Sequence, residues 1–500
     1  MTAFERRFGH PPGLVILFIT EMWERFSYYG MRTLLVLYMG RYLFVEGRSE
    51  HVVGHAALYG AFAWVARLFG ATADVKAYAS QTYGLYTGLV YLTPIVGGML
   101  ADRLWGQRKT VVVGGVLMAI GHFLMAFESL FYIALFFLIL GNGAFKPNIS
   151  TQVGNLYPEG DERRDRAFSI FYVGINLGAF FQFIAGTLAE RKGAQLSEDP
   201  TELNPAFDPL HPGRGWHWGF SAAGVGMLIG LAFYLWGQRY LAKDQLTRRH
   251  ELEAAKPDEA GYRGGTPKVK VVEEPPPKQP MTREERSAVL ALIGLCALNI
   301  VFWAVYEQQG NTMQEWATDH TRWPKIFGWQ VSSTLFQSFN PAMIFVFTAP
   351  ILYFWKRQAK RGTEPSSVAK MAIGCFILGA SFIVMVVGAK LVNPDHGGKG
   401  SLSWPLICTA MLTLGELYLS PVGLSLVTKA SPKRMVSMMM GMWFLSSFFG
   451  NYASGLIGIL YNRIPKTGFF LILTVLGLLS GIAIWAFNKP LKRAIGSEKL

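Results

Sequence analysis

Runs of about 20 mostly apolar residues recur along the chain, separated by short polar turns, and such runs are long enough to cross a bilayer as helices. Counting them predicts twelve spans, near 13–41, 79–101, 109–127, 130–152, 166–189, 217–238, 286–310, 331–356, 366–391, 402–428, 435–460 and 467–487. A thirteenth apolar stretch, 51–72, holds His51, His55 and Arg67 among many Ala and Gly. It reads as an amphipathic loop helix lying outside the membrane. The one long hydrophilic break, 239–285, carries Arg248-Arg249 and the run Glu273-Glu274-Pro275-Pro276-Pro277-Lys278. It predicts a linker dividing the chain into a six-span bundle over 1–238 and a second over 286–500.

Composition agrees with that pattern. Half of the 500 residues are hydrophobic, 16% are charged and the mean hydropathy is +0.26, too oily for an ordinary soluble enzyme. The net charge of +14 raises nucleic-acid binding, but the basic residues gather in particular loops. With both termini cytoplasmic, about thirty Lys and Arg fall in cytoplasmic segments and about fourteen outside, which fixes the expected orientation. The first apolar run is too long for a cleavable signal and carries acidic residues. Cys296, Cys375 and Cys408 fall within apolar segments at no metal-ligand spacing, and His51 and His55 have no third ligand in sight. There is no GxxxxGK[ST] phosphate loop, which argues against an ATP-driven pump.

The chemistry concentrates in Glu21-Met-Trp-Glu24-Arg25-Phe-Ser-Tyr28-Tyr29-Gly30. On a helix, positions 21, 24, 25, 28 and 29 share one face. Glu21 sits about nine residues, roughly 14 Å, past Pro12, near a bilayer midplane. Charge there costs on the order of 2.5–3.5 kcal/mol per residue on insertion scales, so function is the expected reason for it. A self-neutralising Glu21–Arg25 pair that staples helices is the alternative, and it leaves Glu24 without a partner in the helix. Lys146-Pro147 in a Gly-rich span is a second candidate, because proline frees a carbonyl and the ammonium needs an anion; snorkelling to the surface is the other reading. Further polar groups inside spans are Asn176, Glu307, Asn340 and Glu416.

Several motifs stand in order: ExxERFxYYG at 21–30, YLTPxxGGxLAD at 91–102, FKPN at 145–148 and FSIFYxGINxGAF at 168–180. Together they resemble the proton-dependent oligopeptide transporter family, a branch of the major facilitator superfamily. Asp102-Arg103-Leu-Trp-Gly106-Gln-Arg108-Lys109 is similar to the superfamily's signature loop between helices two and three. The resemblance implies an all-α membrane protein of two six-helix bundles, a secondary transporter and not an enzyme. It implies import of di- and tripeptides across the cytoplasmic membrane with protons as coupling ion, no cofactor, and a functional monomer. In that family Glu21, Glu24, Arg25 and Lys146 form the proton-coupling cluster, with Glu307 in coupling or gating. Arg25 and Lys146 face the peptide carboxylate and Glu416 the amino terminus. Tyr29, Tyr91, Asn176, Trp303, Asn340 and Trp443 line the pocket. The turn at 392–401 is short and 239–285 is too polar for extra spans, so twelve helices and a bacterial member are expected. Gly84, where animal members carry a proton-linked His after Tyr83, leaves proton handling to carboxylates.

A peptide is a zwitterion whose ends lie about 3.3–3.6 Å apart per residue, so an Arg/Lys pole opposite a Glu pole measures length while tolerating sequence. A relative carrying nitrate or another small anion is the nearest alternative, opposed by Glu416. A peptide-sensing receptor or a membrane enzyme is more remote, for want of a signalling domain or a nucleophile-base pair.

Overall fold

The computed structural model describes residues 3–68, 74–158, 161, 163–197, 204–242, 244, 281–432 and 435–495. Twelve long helices dominate it. The first six are α1 (Pro12–Tyr38), α2 (Val75–Leu100), α3 (Gln107–Leu124), α4 (Phe131–Asn155), α5 (Arg163–Phe180) and α6 (Arg214–Gly237). The second six are α7 (Arg283–Tyr306), α8 (Phe339–Lys360), α9 (Ser367–Val392), α10 (Ser403–Ala430), α11 (Val436–Gly458) and α12 (Lys466–Ile495). One apolar core runs through residues 14–241 and another through 288–491. Most of the linker 239–285 lies outside the described residues.

Among the described residues nine helical stretches are long and apolar enough to cross a bilayer. The helix α1 is not among them, because Glu21, Glu24, Arg25 and Arg32 interrupt it. Polar caps fix several starts: Asp74 accepts from Ala77 N at 2.7 Å before α2, and Thr282 and Glu285 form a reciprocal capping box before α7. The helix His55–Leu68 follows a 3₁₀ turn, Ser49–His51, with Gly54 at φ +84° between them. The two histidines therefore do not share a helix face.

Glycines set how closely helices approach. A Cβ at Gly97 of α2 would collide with the Gly143 carbonyl of α4, whereas the neighbouring Gly98 faces open space. Beside this contact, Asn148 Nδ2 donates to Ala144 O at 2.7 Å and to Gly97 O at 3.2 Å, binding the two helices where Pro147 interrupts α4. In the loop after α2, Gly106 (φ +75°) brings Asp244 within reach of Arg108 N at 3.0 Å, and the Arg108 guanidinium donates to the carbonyls of Leu241 and Ala242. The signature loop thus holds the end of α6.

The two sets of six helices meet along α2 with α11 and α5 with α8. At the end remote from both chain termini they are tied together. A Cβ on Gly84 would lie 2.8 Å from Gly455 Cα. Asn311 Nδ2 donates to Ser80 Oγ at 2.7 Å, and Ser80 Oγ to Gly455 O at 2.9 Å. Arg41 pairs with both oxygens of Asp319 at 2.9 and 2.7 Å, and Arg32 pairs with Glu307. At the terminal end, by contrast, residues 168, 169, 170, 172 and 173 of α5 are all exposed. They point in several directions around the helix, so one side faces the gap between the helix sets and not lipid. The interior is closed at the far end and opens towards the termini.

Candidate functional site

On α1, Glu21, Glu24 and Arg25 are buried, at 2%, 0% and 3% exposure. Arg25 Nε lies 3.0 Å from Glu21 Oε1 and is bonded to Glu24 as well. Asn142 of α4 donates to the other oxygen of Glu24 at 3.3 Å, so Glu24, expected to lack a partner in its own helix, has one there in Arg25 and a second from α4. One atom on each side of the cluster remains over: Glu21 Oε2 and Arg25 Nη2 have no hydrogen-bond partner among the described residues. A buried polar atom without a partner is costly, so a self-neutralising staple does not account for the cluster. Gly178 of α5 lets the stripe in, since a Cβ there would stand 2.9 Å from Arg25 Cβ. Lys146 is half-buried on α4 with its ammonium 4.9 Å from the Tyr91 ring centre. It makes no ion pair among the described residues, a cation held against an aromatic face instead.

Between the two sets of helices lies a cavity of about 170 Å³. Tyr29, Tyr91 and Asn176 line it from one side, and Trp303, Asn340 and Glu416 from the other. Glu416 is held by Tyr306, whose hydroxyl donates at 2.6 Å, and by Asn340 Nδ2 at 3.0 Å. Asn340 Nδ2 is also 3.0 Å from Thr413 Oγ1, so the amide is fixed from α10 at two points. At the far wall Glu307 pairs with Arg32, and Arg32 Nε donates to Tyr83 OH at 2.7 Å. Trp303 Nε1 is buried without a partner among the described residues.

Seven of the expected residues, Glu307 included, therefore border one cavity. Glu21, Glu24, Arg25 and Lys146 stand behind its Tyr29 and Tyr91 side and do not line it. Trp443 is buried in the second core, its ring packed where a Cβ on Gly423 would fall. Sequence reasoning missed Arg32, Tyr83 and Tyr306. Arg32 was within reach: it follows Arg25 by seven residues and so prolongs the same stripe by two turns. Tyr306 gives no such signal, because a tyrosine beside a carboxylate is ordinary. Its role is testable. Tyr306→Phe removes the donor to Glu416, a hydrogen bond to a charged group worth about 1.5–3 kcal/mol. The concentration for half-maximal dialanine uptake is expected to rise on the order of tenfold or more, with the maximal rate less affected; an unchanged value would show that the hydroxyl does not prepare Glu416.

The sequence pattern of the POT family matches residues 108–253 and 267–474. The peptide transporter YePEPT of Yersinia enterocolitica is 32% identical, the match covering 90% of this chain and 88% of that protein. A di-/tripeptide transporter of Lactococcus lactis is 30% identical over 98% of each. Among solved structures, a variant of the peptide transporter POT in complex with alafosfalin superimposes with a TM-score of 0.74 at 29% identity, over 98% of this chain and 96% of that one. A POT family transporter in complex with 5-aminolevulinic acid gives a TM-score of 0.72 at 27% identity, over 97% of both.

Proposed function

This chain belongs to the POT family, a multi-pass membrane transporter and not an enzyme, and from that premise we propose that it imports di- and tripeptides in symport with protons. The reading places it in the cytoplasmic membrane with both termini inside, working as a monomer by alternating access and without a cofactor. The observation that carries it is the pairing of opposite poles: Glu416 on one wall of the cavity, and the Arg25 and Lys146 cations behind the other.

The peptide's ammonium binds Glu416, which Tyr306 and Asn340 hold as an acceptor. Its carboxylate takes the vacant Arg25 Nη2 and Lys146. Drawing Arg25 towards the substrate weakens its hold on Glu21 and Glu24, and a carboxylate losing its cation in a dry site takes a proton. Glu21 Oε2, already without a partner, is the natural acceptor. The second element is the Arg32–Glu307 pair across the far end. Protonating Glu307 removes the charge that holds Arg32, so the far end opens only with a proton aboard. A carrier of small inorganic anions would use the cationic pole alone and leave Glu416 without purpose.

The deciding experiment is dialanine uptake by proteoliposomes under an inward proton gradient, with and without a protonophore. Accumulation that collapses with the gradient is the expected result. A competent preparation that neither accumulates nor exchanges dialanine would overturn the reading and turn attention to anions.

A further inference from the structure

Away from the central cavity, two hollows meet on the outer face of the first six helices. One, of about 800 Å³, lies at the far end, with Arg48, Arg214, His211 and His217 in its lining. The other, of about 580 Å³, is an apolar groove between Trp23 and Phe26 of α1, Ile184 and Leu188 of the helix Phe183–Arg191, and Val225 and Ile229 of α6. They share Trp218 and Ser221, so a head hollow carrying basic side chains and an apolar tail are joined in one surface.

The charge of the head is one-sided. Its one lining carboxylate, Glu128, already accepts from Tyr42 OH, while Arg48 rests on the Tyr42 ring at 4.4 Å. Arg214 is exposed and makes no ion pair among the described residues. His211 lies 3.0 Å from Asp208, and His217 Nε2 is buried with no partner among the described residues. Lys192 adds a further cation at the seam, 5.2 Å from the Trp218 ring. The depth of the tail also fits. From Trp218 to Ile229 α6 rises about 16 Å, close to half of a hydrocarbon layer of about 30 Å. The hollow therefore begins where an aromatic anchor sits at the headgroup level and ends near the midplane.

We propose that this joined hollow is a binding site for one anionic phospholipid of the leaflet remote from the chain termini, its phosphate among Arg48, Arg214 and His217 and one acyl chain in the groove. A soluble anion has no use for the apolar groove, and a zwitterionic lipid gains little from the cations. The site touches the transport machinery from behind: Trp23 and Phe26 belong to α1, flanking Glu24 on the helix's opposite face. A seated chain would brace the helix that carries the charged stripe.

The test is native mass spectrometry of the full chain in detergent, titrated with phosphatidylglycerol or with phosphatidylcholine of the same chains. The expected result is a retained phosphatidylglycerol adduct with weaker phosphatidylcholine binding. Arg214→Gln alone is expected to weaken the adduct about fivefold, and Arg48→Gln with Arg214→Gln about thirtyfold, each cation near a lipid surface contributing on the order of 1 kcal/mol. Arg214 is exposed, so the single variant keeps the test open should the double variant fail to fold. Equal binding of the two lipids, or indifference to both variants, would overturn the proposal. Displacement of the lipid by glycerol 3-phosphate at equal concentration would also overturn it, by showing that the head hollow binds a soluble phosphate without the groove. None of these readouts depends on transport, so they stand apart from the fate of the peptide reading.

Discussion

Glu307→Gln is expected to abolish proton-driven peptide accumulation while leaving peptide counterflow intact. The carboxylate pairs with Arg32 across the two sets of helices, at the far wall of the cavity, and both side chains are largely buried. Losing one member of a buried pair costs about 3–5 kcal/mol where the other charge is left uncompensated. A glutamine softens that cost, because its amide oxygen still accepts from Arg32 and Tyr83 OH remains at 2.7 Å. What it cannot do is change charge. The far end would then open and close with peptide alone, so downhill and exchange fluxes persist while the proton gradient no longer pulls. One proton per cycle across one pH unit supports about a tenfold accumulation, 1.36 kcal/mol; the variant should give none. Uphill accumulation retained by a variant that also exchanges peptide would remove Glu307 from the coupling. Counterflow serves as the folding control, since a misfolded carrier exchanges nothing.

The sequence revealed the twelve-helix, all-α plan because burial in a bilayer needs long apolar runs, and it revealed the α1 stripe because charges within such a run stand out. What escaped it depends on partners remote in sequence. The span expected at 166–189 is broken into α5 and the helix Phe183–Arg191 at Phe181 and Gln182, with neither proline nor glycine at the break. The bond pattern at Gln182 gives the reason: its amide accepts from Thr33 Oγ1 at 2.6 Å and donates to Gln337 O at 2.9 Å. A tertiary contact has outweighed local helix preference there. The Arg32–Glu307 pair is invisible for the same reason, its members lying in different halves of the chain. Gly97 and Gly98 look alike in sequence, yet only the first is required by a close backbone approach. Trp443 shows the converse: an aromatic inside a span is more often core than pocket, and here its ring fills the space over Gly423.

Glu416→Gln is expected to raise the dialanine concentration for half-maximal uptake on the order of 30- to 100-fold, because an ammonium loses a buried charged acceptor worth about 2–3 kcal/mol. Charge is the part that changes, since Tyr306 can still donate to the amide oxygen. Asn340 Nδ2 donates to the same oxygen, Oε2, at 3.0 Å, so an amide oxygen there keeps both donors, while the NH₂ group that replaces Oε1 alters the acceptor geometry of the pocket. A chemical cycle separates these two effects. N-acetyldialanine has no ammonium, so the wild-type carrier should already bind it weakly, and the substitution should weaken it little further. If Glu416 reads the amino terminus, the preference for dialanine over its acetylated form shrinks in the variant by most of the loss seen with dialanine. If both substrates weaken equally, the effect is collapse of the Tyr306–Asn340–Glu416 network, and the amino end of the peptide must be recognised elsewhere in the cavity. The same cycle bears on the anion alternative: a carrier using only the Arg25 and Lys146 pole would not distinguish dialanine from its acetylated form, before or after the change at Glu416.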